Sequence, residues 1–128
     1  MNVVYEAFFV QGPLVSKLSK DIEFKHITTE FKPAVSHEHL YGQQATFVIT
    51  GYGNDEVNEG YGVKLVSCES DELRELYETI SVPHITLSIS SEGKASNTKN
   101  LDFGSTDEFI ILAKFGGFLG KPILRGGK

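Results

Sequence analysis

Val82-Pro83-His84-Ile85-Thr86-Leu87-Ser88-Ile89 and Phe24-Lys25-His26-Ile27-Thr28-Thr29-Glu30-Phe31 carry the same tripeptide, His-Ile-Thr, each inside a short run rich in apolar and β-branched residues. Such runs read as β-strands. On a strand, residues i and i+2 share a face. Each tripeptide therefore sets an imidazole beside a hydroxyl and turns isoleucine to the opposite face. Two such pairs brought together supply two acid/base groups and two hydroxyl donors around one small anion, an arrangement suited to cleaving a phosphodiester.

The context of the two tripeptides repeats as well. His26 and His84 are 58 residues apart. Sliding the chain by that interval sets Tyr5-Glu6-Ala7-Phe8-Phe9-Val10 against Val63-Lys64-Leu65-Val66-Ser67-Cys68, both strand-like. It also sets Leu18 against Leu76. Thr46-Phe47-Val48-Ile49-Thr50 finds a rough counterpart in Glu108-Phe109-Ile110-Ile111-Leu112, at an interval of 62. The pattern is strand, connector, His-x-Thr strand, loop, strand, twice over. Two copies are too few for a solenoid. They predict one α+β domain over residues 1–128, mainly antiparallel sheet with one or two short helices. Its two lobes, about residues 3–51 and 61–115, would be related by a pseudo-two-fold axis about a central cleft, with a flexible tail over about 116–128.

Composition narrows the class. A chain of 128 residues that is 40% hydrophobic has enough material for one real core. No apolar run approaches the roughly 18 residues needed to span a bilayer. Met1-Asn2-Val3-Val4-Tyr5-Glu6 lacks a basic start and is interrupted by Glu6, so a signal peptide is not expected. The single cysteine, Cys68, allows no internal disulfide and no cysteine-rich metal site, and suits a reducing cytoplasm. The net charge of −5 argues against a protein that grips duplex DNA, which needs a basic face. A small substrate or one strand end needs only a locally positive cleft.

Along the chain, strands are predicted over Val3–Val10, Phe24–Lys32, Gln44–Gly51, Tyr61–Cys68, Ile85–Ser90 and Phe109–Phe115. Leu14–Lys20 reads as a helical turn, Ala34–Gly42 as a loop, Tyr52–Gly60 as a polar turn broken by glycines, and Ser91–Asn100 as a polar loop. Ser70 is a good N-cap for a short helix with acidic residues in its first turn and Leu73, Leu76, Tyr77 and Ile80 on one side. Gly116–Lys128 is glycine-rich and cationic, with Lys121, Arg125 and Lys128; part of it should pack and its end fray.

The two tripeptide segments resemble the paired His-x-Thr/Ser motifs of the 2H phosphoesterase superfamily. The second is the better match, because Leu87 supplies the apolar residue that follows the threonine there; Thr29 stands at that place in the first. Ser90-Ser91-Glu92-Gly93-Lys94-Ala95-Ser96-Asn97 is similar to the corresponding loop of the RNA-repair branch, related to the cyclic phosphodiesterase module of fungal tRNA ligases. The resemblance runs from about Val3 to Phe115. It implies a cytoplasmic phosphodiesterase that works without metal or other cofactor. One of His26 and His84 would act as base and the other as acid, while Thr28 and Thr86 would donate to the non-bridging oxygens. The implied substrate is a 2′,3′-cyclic phosphate at an RNA end or on a nucleotide. The alternatives are a cyclic mono- or oligonucleotide signal, as for compact viral members, or nucleotide and RNA binding without turnover. No membrane partner is expected, and the oligomeric state is left open.

Other residues carry weaker signals. Tyr5 can approach the cleft from the first strand; Tyr41, Tyr52 and Tyr61 border turns and offer rings for stacking on a base, or for ordinary packing. Lys94 and Asn97 are candidate substrate contacts on the loop after the second motif, and Lys25, Lys94 and Lys99 are sources of positive potential or plain surface lysines. His37-Glu38-His39 would place two imidazoles on one face, the start of a metal pair, but no third ligand stands at a fixed spacing. A solvated or gating loop is the expectation there.

Overall fold

The computed structural model of the protein describes residues 3–125. Its strands are β1 (Tyr5–Val10), β2 (Lys20–Asp21), β3 (His26–Phe31), β4 (Gln44–Asn54), β5 (Asn58–Cys68), β6 (His84–Ile89), β7 (Ile110–Phe118) and β8 (Pro122–Ile123). One α-helix, α1 (Asp71–Glu78), and short 3-10 turns at Glu38–Leu40 and Ala95–Asn100 complete the described elements. The class is α+β, mostly antiparallel. One sheet runs β2-β6-β5-β4-β7-β1-β3, and β8 adds to β7. Among the described residues no helix is long and apolar enough to cross a membrane.

The ladders explain where the tripeptides sit. On β3, His26, Ile27 and Thr28 lie opposite Phe9, Phe8 and Ala7 of β1, and a bulge between Glu6 and Ala7 then brings Glu6 opposite Glu30. On β6, His84, Ile85 and Thr86 lie opposite Gly62, Tyr61 and Gly60 of β5, and a bulge between Glu59 and Gly60 brings Glu59 opposite Ser88. The two ladders thus have the same register and the same bulge. The interval of 58 holds for the tripeptide strands, but their partners correspond as Glu6–Phe9 with Glu59–Gly62, not with any part of Val63–Cys68. The sliding comparison failed because β5 runs on past Gly62 to Cys68 before its connector begins, whereas β1 ends at Val10, one residue past Phe9.

The third strands cross over. β4 follows β3 in the chain but pairs with β5, while β7 follows β6 but pairs with β1. β4 and β7 then pair with each other in the middle of the sheet. The units in space are therefore β3-β1-β7 and β6-β5-β4, not the consecutive stretches 3–51 and 61–115. Segment 17–22 runs along the free side of β6: Lys20 and Asp21 pair with Ile89 and Ser88, and the Ile22 amide donates to the Leu87 carbonyl at 3.0 Å. It then passes directly into β3, which lies in contact with β6. This extended segment replaces the helical turn expected over Leu14–Lys20.

The core gathers on the isoleucine side of both tripeptides. Ile27 and Ile85 are fully buried together with Phe8, Phe47, Ile49, Leu73, Leu87 and Phe115. Phe8 meets Phe47 and Phe115 edge-on at 5.0 and 5.5 Å, a favoured aromatic geometry. Helix α1 starts as expected, with Ser70 Oγ accepting from the Leu73 amide at 3.2 Å. It packs Leu73 against this core and sets Tyr77 5.9 Å from Phe47.

The β4–β5 hairpin is longer than expected. Gly53 and Gly60, expected as breakers of a polar turn, instead pair with each other across the ladder and stay in strand. A tight turn at Asp55–Val57 suffices, because Asp55 Oδ1 accepts from the amides of Val57 and Asn58 at 2.9 and 2.7 Å. The bare glycines let segment 98–104 lie flat on the sheet. A Cβ on Gly53 would come within 2.9 Å of Leu101, one on Gly51 within 3.0 Å of Phe103, and one on Gly60 would collide with Thr98. The last long strand also extends past the expected end at Phe115, through buried Gly116 and Gly117 to Phe118, so 116–118 is sheet rather than tail. Gly126, Gly127 and Lys128 of the expected cationic tail lie outside the described residues.

Candidate active site

His26 and His84 are anchored in the same way. His26 Nδ1 lies 2.6 Å from the Phe24 carbonyl, and His84 Nδ1 lies 2.7 Å from the Val82 carbonyl. A carbonyl only accepts, so each Nδ1 carries a proton. The neutral ring then presents an unprotonated Nε2, the form that takes up a proton. In both cases the acceptor is the residue two positions earlier, just before the strand begins. Each strand thus orients its own imidazole through its own backbone.

The two rings stand on strands in contact, β3 and β6. Burial is the largest influence on His26 and holds its pKa below the usual imidazole value; the Phe24 carbonyl opposes this, and the charge of His84 adds to it. Burial likewise lowers His84, opposed by the Val82 carbonyl and reinforced by the Lys99 ammonium. Both histidines and both threonines of the tripeptides are half-buried. They are neither sealed in the core nor free on the surface, which suits groups that must be held and still reach a solute.

The two sides differ in detail. His26 stacks on Tyr5 at 4.6 Å between ring centroids, and Tyr5 stacks in turn on Phe118 at 4.9 Å. The Tyr5 hydroxyl is 3.4 Å from His26 Nδ1, and burial raises its own pKa to about 12, so it stays protonated. On the other side, Thr86 Oγ1 donates to Thr98 Oγ1 at 2.8 Å, with the Ala95 carbonyl at 3.4 Å. Thr28 faces Ala7 across its ladder and has no such neighbour among the described residues.

No protein-family model matches this chain, and no curated protein matches it.

The remaining sequence candidates divide sharply. Lys94 and Asn97 are exposed on the 3-10 segment beside Thr86, where only their backbones are engaged: the Lys94 carbonyl accepts from Asn58 Nδ2 at 2.7 Å and from the Asn97 amide at 2.9 Å. Tyr41 is 7% exposed, packs on Phe115 and donates to Glu6 at 2.9 Å, so it cannot offer a ring to a base. Tyr52 and Tyr61 face each other at 5.6 Å. Lys25 is spent on Asp21 at 2.7 Å. His37 and His39 turn to different carboxylates, Glu6 and Glu72, each at 2.7 Å. Among the described residues no group of three or more His, Cys, Asp and Glu side chains is placed to hold a metal.

Sequence reasoning missed Thr98, Asn58 and Phe118. The signal for Thr98 was the doubled Gly-Tyr-Gly, since paired glycines on a sheet mark a place where another segment lies close. It also missed a cavity of about 360 Å³ behind His26, lined by Phe9, Leu14, Phe24, Lys25, Pro122 and Leu124 among others. None of the four tripeptide side chains lines that cavity.

Proposed function

We propose that the protein is a metal-independent phosphodiesterase that hydrolyses 2′,3′-cyclic phosphates on RNA ends or nucleotides, with a two-lobed, pseudo-two-fold 2H phosphoesterase-like fold. The observation that carries this reading is the matched pair of imidazoles: same tautomer and same backbone anchor, on strands β3 and β6 that lie in contact. The matched ladders and bulges support the fold assignment.

Water attacks phosphorus while Nε2 of one histidine takes its proton. The P–O bond to one ribose oxygen breaks, and Nε2 of the other histidine, protonated beforehand, gives its proton to that oxygen. The product is a phosphomonoester, and the pair ends with its single proton transferred to the other ring. Each proton transfer is worth roughly 10² to 10⁴ in rate. The hydroxyls of Thr28 and Thr86 meet the non-bridging oxygens, where negative charge grows in the transition state. Because the imidazoles supply both proton transfers, no metal-bound water is required.

The test is hydrolysis in the presence of a chelator, using 2′,3′-cyclic mononucleotides, RNA ending in a cyclic phosphate, and cyclic di- and trinucleotides. The expected result is turnover of a 2′,3′-cyclic phosphate that disappears in His84→Ala. Preference for the cyclic oligonucleotides would shift the reading to destruction of a signal. Tight binding with no turnover of any member would shift it to a nucleotide-binding module.

A further inference from the structure

Thr98 is buried completely, and hydrogen-bond counting around it leads to an assignment that rests on the phosphodiesterase reading. Asn58, 2% exposed, points its Nδ2 at two acceptors, the Lys94 carbonyl at 2.7 Å and Thr98 Oγ1 at 3.0 Å. An amide nitrogen only donates, and the Lys94 carbonyl only accepts, so the orientation of Asn58 is fixed. Thr98 Oγ1 is thereby held as an acceptor. With Thr86 also donating to it at 2.8 Å, Thr98 accepts twice, and its own proton has no partner among the described residues. A buried donor left unmade loses its hydration with nothing in return, so the arrangement is costly.

Reversing the hydroxyl pair removes this cost. A hydroxyl proton rotates at little expense, and either oxygen of the pair can donate. When Thr98 donates to Thr86, the Thr86 proton is released from Thr98; the acceptor left to it is the Ala95 carbonyl at 3.4 Å, a long contact that a charged phosphoryl oxygen displaces. We infer that Asn58 and Thr98 are positioning residues: they turn Thr86 into a committed donor toward a phosphoryl oxygen. Among the described residues the arrangement exists on one side only: Thr28 lies opposite Ala7 and has no hydroxyl partner there. Thr86 is therefore the stronger of the two oxyanion donors. The glycine at 60 is part of the device, because only a bare Cα lets the Thr98 methyl lie against β5.

The experiment compares Thr98→Val, which keeps the shape and removes the hydroxyl, with Thr98→Ser, which keeps the hydroxyl. Both are measured for kcat and KM on 2′,3′-cyclic AMP and for thermal stability, in the wild-type and Thr86→Val backgrounds. The expected result is a loss of about tenfold in kcat for Thr98→Val with KM little changed, recovery in Thr98→Ser, and no further loss when Thr98→Val is added to Thr86→Val. An equal loss in both backgrounds, or a loss in Thr98→Ser as large as in Thr98→Val, would overturn the assignment in favour of a purely structural role. Full kcat in Thr98→Val would overturn it as well. A folded wild type with no turnover would sink the phosphodiesterase reading itself, and this inference with it.

Discussion

His26 and His84 are both made less basic than a free imidazole, mainly by burial, and the direction of that shift fixes the expected pH behaviour. A base must be unprotonated and an acid protonated, so kcat/KM should trace a bell whose two limbs belong to the coupled pair rather than to either ring. With both groups lowered from about 6.5, the maximum should lie on the acid side of that value. A pH–rate profile checks this. Lys99→Gln removes the ammonium that adds to the effect of burial on His84, so the bell should move to higher pH. Stability follows the same shifts. Unfolded imidazoles take up protons near pH 6.5 while the folded ones resist, so their contribution is intact above that pH and is lost as pH falls through it. Denaturant midpoints at several pH values should show that decline, and it should weaken in His26→Gln. The tripeptides themselves were legible because a strand fixes which residues share a face. Their electrostatics were not, since burial and the approach of Lys99 depend on strands and loops distant in sequence.

Two buried carboxylates tie loops to the matched ladders. Glu6 accepts from the His37 amide and ring and from the Tyr41 hydroxyl, while Glu59 accepts from the Lys17 amide at 2.8 Å, the Ser88 hydroxyl at 2.7 Å and the Tyr52 hydroxyl. Both stand immediately at the bulge of their strand. Glu59→Ala should destabilise the fold by about 3 kcal/mol or more, because three donors lose their acceptor in the interior. Gly60→Ala should cost about 1 to 3 kcal/mol, because the new methyl collides with Thr98 and comes within 2.6 Å of the Ile85 carbonyl. Chemical denaturation measures both. Neither carboxylate is legible as structural in the sequence, where Glu6 only interrupts an apolar run. A carboxylate is stable in such a place only when several donors converge on it, and those donors come from strands and loops up to 42 residues away. The glycines around Tyr52 and Tyr61 misled for a related reason: glycine marks a turn or a close approach, and only the position of segment 98–104 tells the two apart.

The exchange of β4 and β7 makes the two halves of the molecule mutually dependent. Each tripeptide strand belongs to a ladder whose third strand comes from the other half of the sequence. Unfolding should therefore be a single transition, coincident by far-ultraviolet circular dichroism and by tyrosine fluorescence, and a fragment ending at Asn54 should not fold alone. A doubled pattern in the sequence announced two related units but not the exchange, since strand periodicity carries no information on which partner a strand selects. On the proposed reading, an acidic chain of net charge −5 would hold its anion with two imidazoles, two hydroxyls and the Lys99 ammonium rather than with a basic face. The most direct test is the rate of 2′,3′-cyclic AMP hydrolysis, with chelator present, by wild type, His26→Ala, His84→Ala and the double variant. Two groups passing one proton act as a unit, so each single variant should lose roughly 10² or more and the double variant little beyond that. Turnover surviving in either single variant, or losses that multiply in the double variant, would contradict catalysis by a paired imidazole site.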